Sequence, residues 1–337
     1  MKALFHHFFI IFTLALTLIS CSGKDSYKAT AVGNAGDLLI VMDDTIKASS
    51  GGEFLREMIN QPMLALPQDE PIFTLSVTPH RNFSDYLKSM RNIIIVEINP
   101  SAKKDTILYF REYWAKEQAL VKIVARNSKE LLRLAEKSEI KMIGFFSVSE
   151  RNRNITFFKK FPNLEFTKIV KDTWGIELLA PTGYNKNKGG KDFSWFSIET
   201  NQSSTGVLIY SFPYTGKNSL DKDILIQKRD SVLRINLRGE RPDSYMTTEL
   251  EYPVIYKGML VNGVSTAEIR GLWRMVGDMM GGPFVSHAHI DQVNNRVIVT
   301  EGYVYAPEKP NKRNSIRQLE SILYTYKPLS EDKTVQQ

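Results

Sequence analysis

The sequence predicts an α+β, mixed α/β chain of two domains, each a mixed or antiparallel sheet covered by helices, with a C-terminal helix-plus-β-hairpin unit. Three observations carry this. In the first half, short apolar runs such as 38–42 alternate with amphipathic stretches of helical period, the pattern of a sheet covered by helices. From Gly175 onward, period-two segments predominate, so the second half is richer in strands. Between the halves, 150–163 is dense in charge and is interrupted by Pro162, the composition of a boundary. The division that follows is a lipoprotein signal peptide over 1–20, a lipidated tether over 21–36, an N-terminal α/β domain over 37–160, a C-terminal α+β domain over 161–329 and a disordered tail over 330–337.

With 337 residues, 42% of them hydrophobic, the chain can bury two cores. Lys and Arg number 44 against 37 Asp and Glu, a formal net charge of +7. The excess is spread thinly, and its short clusters at 186–191 and 309–313 are interleaved with Asn and Gly rather than with aromatics. No nucleic-acid partner is expected.

Taken in order, 38–42 is a wholly apolar run ending in Asp43 and Asp44, as in a buried strand. Ser50 to Glu53 has capping-box spacing, and Phe54, Leu55, Met58 and Ile59 form an apolar helix face behind it. In an α/β sheet the carboxyl end of a strand facing a helix N-terminus is where ligands bind, so Asp43 and Asp44 are candidate ligand-binding residues. Strands are predicted at 72–77, 93–98 and 120–124, with a helix over 106–116, then a long helix from 128 towards 158 and another over 164–174. Beyond them come strands at 176–179, 193–199 and 207–210, a helix over 220–234 and strands at 245–256 and 257–260. Ile316, Leu319, Ile322 and Leu323 define a last amphipathic helix.

The helix-plus-hairpin unit spans 265–307. Ser265, Thr266, Ala267 and Glu268 have capping-box spacing, Ile269, Leu272, Trp273, Val276 and Met280 recur at helical steps, and Gly281, Gly282 and Pro283 end the pattern. These predict a helix over 265–280, anchored by Trp273. The period then changes to two, with Phe284, Ser286, Ala288 and Ile290 on one side and Val285, His287, His289 and Asp291 on the other. Asn294 and Asn295 suit a tight turn into a strand over 297–305. With Trp273 packed on the Phe284 side, the histidines are expected on a solvated face.

Cys21 is the only cysteine, and it follows Leu18, Ile19 and Ser20 at the end of an apolar run that begins at Phe8. About a dozen apolar residues make a signal-peptide core and are too few to span a membrane. Leu-Ile-Ser-Cys resembles the bacterial lipobox, which implies an acylated Cys21 as first residue of the mature chain and a lipid bilayer as partner. The next residue is Ser22 rather than Asp, which by the same resemblance favours the outer membrane. Which face of that membrane the chain occupies is left open.

Further motifs bring a family into view. Leu66-Pro67-Gln68-Asp69-Glu70-Pro71 with Phe73, Ile209-Tyr210 with Pro213-Tyr214, Ser244-Tyr245-Met246, Arg270-Gly271-Leu272-Trp273, Met280-Gly281-Gly282-Pro283-Phe284 and 302–307 together resemble an uncharacterised family of bacterial envelope lipoproteins, a domain of unknown function. The resemblance covers nearly the whole mature chain and supplies no catalytic residue.

Nucleophile-elbow, dinucleotide, phosphate-loop and His-Glu-x-x-His patterns are absent. No catalytic residue and no cofactor are expected. His287, His289 and Asp291 resemble part of the His-x-His-x-Asp-His pattern of binuclear zinc hydrolases, but Gln292 stands where that pattern has its last histidine. Two functions follow. The preferred one is a non-catalytic envelope lipoprotein that binds a protein or glycan through exposed aromatics among Tyr303, Tyr305, Tyr210 and Tyr214, with Tyr303 and Tyr305 as the candidate ligand contacts. The alternative is a metal-dependent hydrolase of an envelope substrate with His287, His289 and Asp291 as ligands.

Overall fold

Strands buried on both faces read as continuous apolar runs, and in the first half they pair in parallel. β1 (Asp37–Val41) lies between β2 (Thr74–Thr78) and β3 (Asn92–Ile98), and β5 (Ala119–Ala125) continues the parallel set beside β3. β4 (Thr106–Arg111) pairs antiparallel with β5, so the order is β2-β1-β3-β5-β4. This is seen in a computed structural model that describes residues 28–190, 192–309 and 311–329. Cys21, the signal segment and the tail over 330–337 lie outside the described residues.

One face of this sheet, with Leu38, Ile40, Met42, Ile94 and Val121, is covered by α1 (Ser50–Asn60) and α2 (Ser128–Lys160). The other carries Leu39, Val41, Ile93 and Leu120 under Phe83, Leu87, Phe110 and Trp114. Ser49 rather than Ser50 caps α1, its hydroxyl accepting from the Gly52 amide. The Asn127 side chain caps α2 by accepting from the Glu130 amide at 3.0 Å.

α2 is 33 residues long and runs unbroken through the charge-dense segment. Glu150 and Arg153 are buried there, whereas Lys159 and Lys160 at its end are exposed. Glu150 Oε1 accepts from Asn92 Nδ2 and Arg153 Nη1, both at 2.7 Å, and Arg153 Nη2 donates to the Arg91 carbonyl at 2.7 Å. Asn163 then caps α3 (Leu164–Trp174), and Gly175 ends it with φ 68°.

The second half is an antiparallel sheet of β6 (Asn185–Gly189), β7 (Phe193–Thr200), β8 (Ser203–Pro213), β9 (Tyr245–Thr248), β10 (Ile255–Val261), β11 (Val264–Val276), β12 (Gly281–Asp291) and β13 (Arg296–Tyr305). Its order is β9-β11-β12-β13-β8-β7-β6, with β10 also pairing β11. One face packs on α3 and on α5 (Arg313–Leu323), where Ile316, Leu319, Ile322 and Leu323 are all buried as the sequence predicts. The other packs on α4 (Lys222–Asn236) through Leu225 and Leu233. The central strands are thus covered on both sides. α5 is tied to the first half by Glu70, whose carboxylate accepts from the backbone amides of Lys312 and Arg313 at 2.6 and 2.9 Å.

The structure corrects several expectations. Residues 265–276 form strand β11, not a helix, because Ala267, Ile269, Gly271, Trp273 and Met275 alternate towards the α4 side while Thr266, Glu268 and Arg270 point to the α5 side. Gly281 and Gly282 do not cap a helix. They open β12, where a Cβ on Gly282 would meet the Val304 carbonyl oxygen at 2.0 Å and the Trp273 indole nitrogen at 3.2 Å. Residues 106–111 are an edge strand rather than a helix, and the strand starting at Tyr245 ends at Thr248. His287 and His289 do lie opposite Phe284 and Ala288, but they are wholly buried beneath α5 and the segment after it, not solvated. Tyr210 and Tyr303, both expected to be exposed, are buried at the α4 side.

Candidate functional site: an aromatic groove with an acidic rim

At the end of the second sheet where β7, β11 and β13 approach, a groove of ≈ 930 Å³ opens to solvent. Tyr303 and Tyr305 of β13 line it beside Trp273 of β11 and Trp195 of β7, and Met246, Met275 and Met280 complete the apolar wall. Alternation along β13 puts both tyrosines on the α4 side. The Tyr303 ring reaches Trp195 by crossing β8 at Gly206, where a Cβ would come within 2.1 Å of the ring. Trp195 Nε1 donates to the Tyr303 hydroxyl at 3.0 Å, and Trp273 Nε1 donates to the Val304 carbonyl at 3.1 Å. Trp273 meets Tyr303 edge to face at 5.8 Å and Tyr305 at 6.1 Å. Burial pushes the Tyr303 phenol well above its ordinary value, so it stays neutral.

The rim is mainly acidic. Glu199, Glu240, Asp278 and Glu308 stand around the opening with the guanidinium of Arg238, and Lys309 Nζ reaches Ser203 Oγ at its edge at 3.2 Å. On a chain whose net charge is positive, this is a local reversal. Aromatic faces and thioethers offer stacking and adaptable packing, while the carboxylates favour a cation.

The other candidates are committed elsewhere. Asp43 Oδ1 accepts from the His80 backbone amide at 3.0 Å, a bond that holds its carboxyl below the usual range, and Asp44 lies 3.4 Å from Arg81. Both stand at the carboxyl end of β1, paired with the loop that follows β2. His287 Nε2 donates to Glu268 Oε2 at 3.0 Å across the β11–β12 pair, and Arg270 clamps the same carboxylate at 2.8 and 2.9 Å before reaching Glu320 at 2.9 Å. Burial opposes the Glu268 charge, yet the His287 bond and Arg270 outweigh it and hold the carboxyl far below its ordinary value. Asp291 accepts from Asn294 and Arg296, closing the hairpin turn at Asn295, whose φ is 49°. The two imidazoles and Asp291 are therefore not brought to one point. Among the described residues, no group of three or more His, Cys, Asp or Glu is placed to hold a metal ion.

His289 gives this face a pH response. The Thr266 hydroxyl donates to the Val264 carbonyl, so it accepts from His289 Nδ1 at 2.9 Å, and the ring stacks on Tyr326 at 3.6 Å. Burial, then the neighbouring His287, lowers the His289 pKa well below its ordinary value. The unfolded chain protonates this histidine near pH 6.5 and the folded chain does not, so its stabilising effect is complete above that pH and is lost as pH falls. The melting temperature of the wild type should drop between about pH 6.5 and 5, and His289→Phe should flatten that slope. A slope unchanged in the variant would place its source elsewhere.

Of the groove, Tyr303 and Tyr305 are legible in the sequence, whereas Trp195 and the four rim carboxylates are not. They converge only through the β7–β8–β13 pairing and the turn that follows β11, which no spacing in the chain announces. The nearest signal is the alternation of 193–199, which puts Phe193 and Trp195 on one face.

Residues 163–325 match a family described as Domain of unknown function (DUF4837), and residues 31–159 match another, Domain of unknown function (DUF8532). These two matches support an uncharacterised family. No curated protein matches the chain. Similar solved structures include the Ran-binding protein Mog1p of Saccharomyces cerevisiae, 8% identical, with a TM-score of 0.32 over 46% of this chain and 91% of that one. LpqN of Mycobacterium tuberculosis, involved in cell envelope biogenesis, is 10% identical, with a TM-score of 0.27 over 44% and 80% of the two chains. The human StarD13 lipid transfer and protein localization domain is 8% identical, with a TM-score of 0.23 over 47% and 94%. Likeness of this degree implies neither a common fold throughout nor a common activity. Among the described residues, no helix is long and apolar enough to cross a membrane.

Proposed function

We propose that the protein is a non-catalytic binding module held at the bacterial cell envelope by an acylated Cys21, and that its groove takes a partly apolar, positively charged ligand. The groove carries this reading: four aromatic side chains and three methionines under a rim of four carboxylates and one guanidinium. A segment of envelope protein with basic residues, or a glycan bearing amines, has the matching chemistry. The apolar run before the lone Cys21 supports the anchor, and Ser22 after it supports the outer membrane. Metal-dependent hydrolysis finds no support, since His287 and His289 are enclosed and Asp291 is spent on a turn.

Two measurements test the two parts. Cells fed a fatty-acid analogue should label the wild type and not Cys21→Ser, and equal label in both would end the anchor. For the groove, tryptophan-free peptides that combine leucine with lysine or arginine should change the emission of Trp195 and Trp273. Glu199→Gln/Glu308→Gln should weaken that binding about tenfold without moving the melting temperature, because both carboxylates are exposed. If glutamate-containing counterparts bind as well, or the double variant binds like the wild type, the groove does not select cations.

A further inference from the structure

We infer that the tip of α2 and its turn into α3 form a face that rests on an anionic lipid surface. Phe157, Phe161 and Leu164 are 49%, 46% and 75% exposed there, and the two phenyl rings lie 5.1 Å apart. Exposed apolar side chains gathered in this way mark a contact surface. Lys159 and Lys160 are exposed beside them, and among the described residues neither is in an ion pair. Lys160 Nζ lies 5.3 Å from the centre of the Phe161 ring. Nearby, Lys168 and Asp172 neutralise each other at 2.7 Å, which leaves Glu165 as the opposing charge on the first turn of α3. Rings and a leucine set among free ammonium groups suit the boundary between acyl chains and headgroup phosphates.

The position of the tip is the second observation. α2 runs back to the amino end of the first sheet, where Arg153 donates to the carbonyls of Glu117 and Arg91, both at 2.7 Å, just before β5 and β3. The chain enters the fold at that same end: the Lys116 amide donates to the Ala29 carbonyl at 2.8 Å, and the Val32 amide to the Ser89 carbonyl at 2.9 Å. Tyr86 and Tyr113, 70% and 50% exposed, flank this entry, and tyrosines favour the membrane interface. From Cys21 to Lys28 the chain spans at most about 25 Å, however it is arranged. An acyl anchor on Cys21 therefore brings this end of the body to the bilayer. The inference uses the anchor for orientation alone, since the lipid contact is made by the folded surface.

The experiment removes the anchor. The full chain carrying Cys21→Ser is floated with vesicles of phosphatidylcholine, with and without one third phosphatidylglycerol. Flotation is expected with the anionic vesicles and is lost in high salt. It should fall about tenfold both in Phe157→Ser/Phe161→Ser/Leu164→Ser and in Lys159→Glu/Lys160→Glu, each at an unchanged melting temperature. Equal flotation of variants and parent would assign lipid contact to the apolar N-terminal run and overturn the inference, and so would no flotation of the parent. A triple variant that changes oligomeric state while floating normally would assign the face to a second copy instead. Fatty-acid labelling reads Cys21 separately, so the anchor and the face can fail independently.

Discussion

Replacing Arg229 with Met should destabilise the protein by about 3–5 kcal/mol, the cost of leaving a buried charge without its partner. Arg229 and Glu301 are both fully enclosed between β13 and α4. The guanidinium Nε and Nη2 donate to the Glu301 carboxylate at 2.8 to 3.1 Å, and Nη1 donates to the Thr248 hydroxyl at 2.8 Å. Its Cζ lies 3.8 Å from the centre of the Phe284 ring. Burial already raises the Glu301 pKa against the pull of Arg229, so a lone Glu301 would take up a proton or unfold the region. Removing both charges in Arg229→Met/Glu301→Leu should recover most of the loss, because no fully buried charge is then left unpaired, and the partly exposed Asp230, 3.4 Å from Arg229 Nη1, keeps its bonds from the Thr248 amide and hydroxyl. Denaturant melts of the two single variants and the double decide this. A double variant as unstable as Arg229→Met would show that packing, not charge, sets the cost.

Trp273→Ala should cost a further large amount, about 3–5 kcal/mol, by emptying a site the size of an indole. The side chain is 2% exposed, and its loss also strips the Val304 carbonyl of its donor. Trp273 is part of the groove wall as well, so ligand emission changes should vanish together with stability. Trp273→Phe separates the two effects: it keeps most of the volume and loses the donor. It should fall between wild type and alanine in denaturant midpoint, and a phenylalanine variant as unstable as alanine would assign the effect to the hydrogen bond.

Trp273 also shows what the sequence revealed and what it concealed. Its burial is legible from the apolar residues around it, but its element is not. A strand covered on both faces must place apolar side chains on both sides, so Ile269, Leu272, Trp273 and Val276 fall at helical steps without a helix being present. The alternation of Ala267, Ile269, Trp273 and Met275 against Thr266, Glu268, Arg270 and Arg274 was the better guide. The histidine face differs from expectation for the same cause, since a second helical layer on the far side turns an expected wet face into a core. Helices with one apolar stripe, such as α5 with Ile316, Leu319, Ile322 and Leu323, are legible because their pattern has a single explanation. Of the four groove aromatics, Tyr303 and Tyr305 are named from the sequence as candidate contacts, and the convergence of the remainder depends on strand order.

α2 buries Leu131, Ala135 and Phe146 in the first core and Phe158, near its last turn, in the second. At a rise of about 1.5 Å per residue it is an unbroken rod of about 50 Å. Two units joined in this way are poor modules for evolutionary exchange. A recombination event that replaced either unit would have to bring a helix of matching length and phase, since a shift of one residue turns Phe158 by about 100° away from its socket. Inheritance of the two segments as one piece is the economical outcome, and insertions are expected to accumulate in the exposed turns, not along this helix.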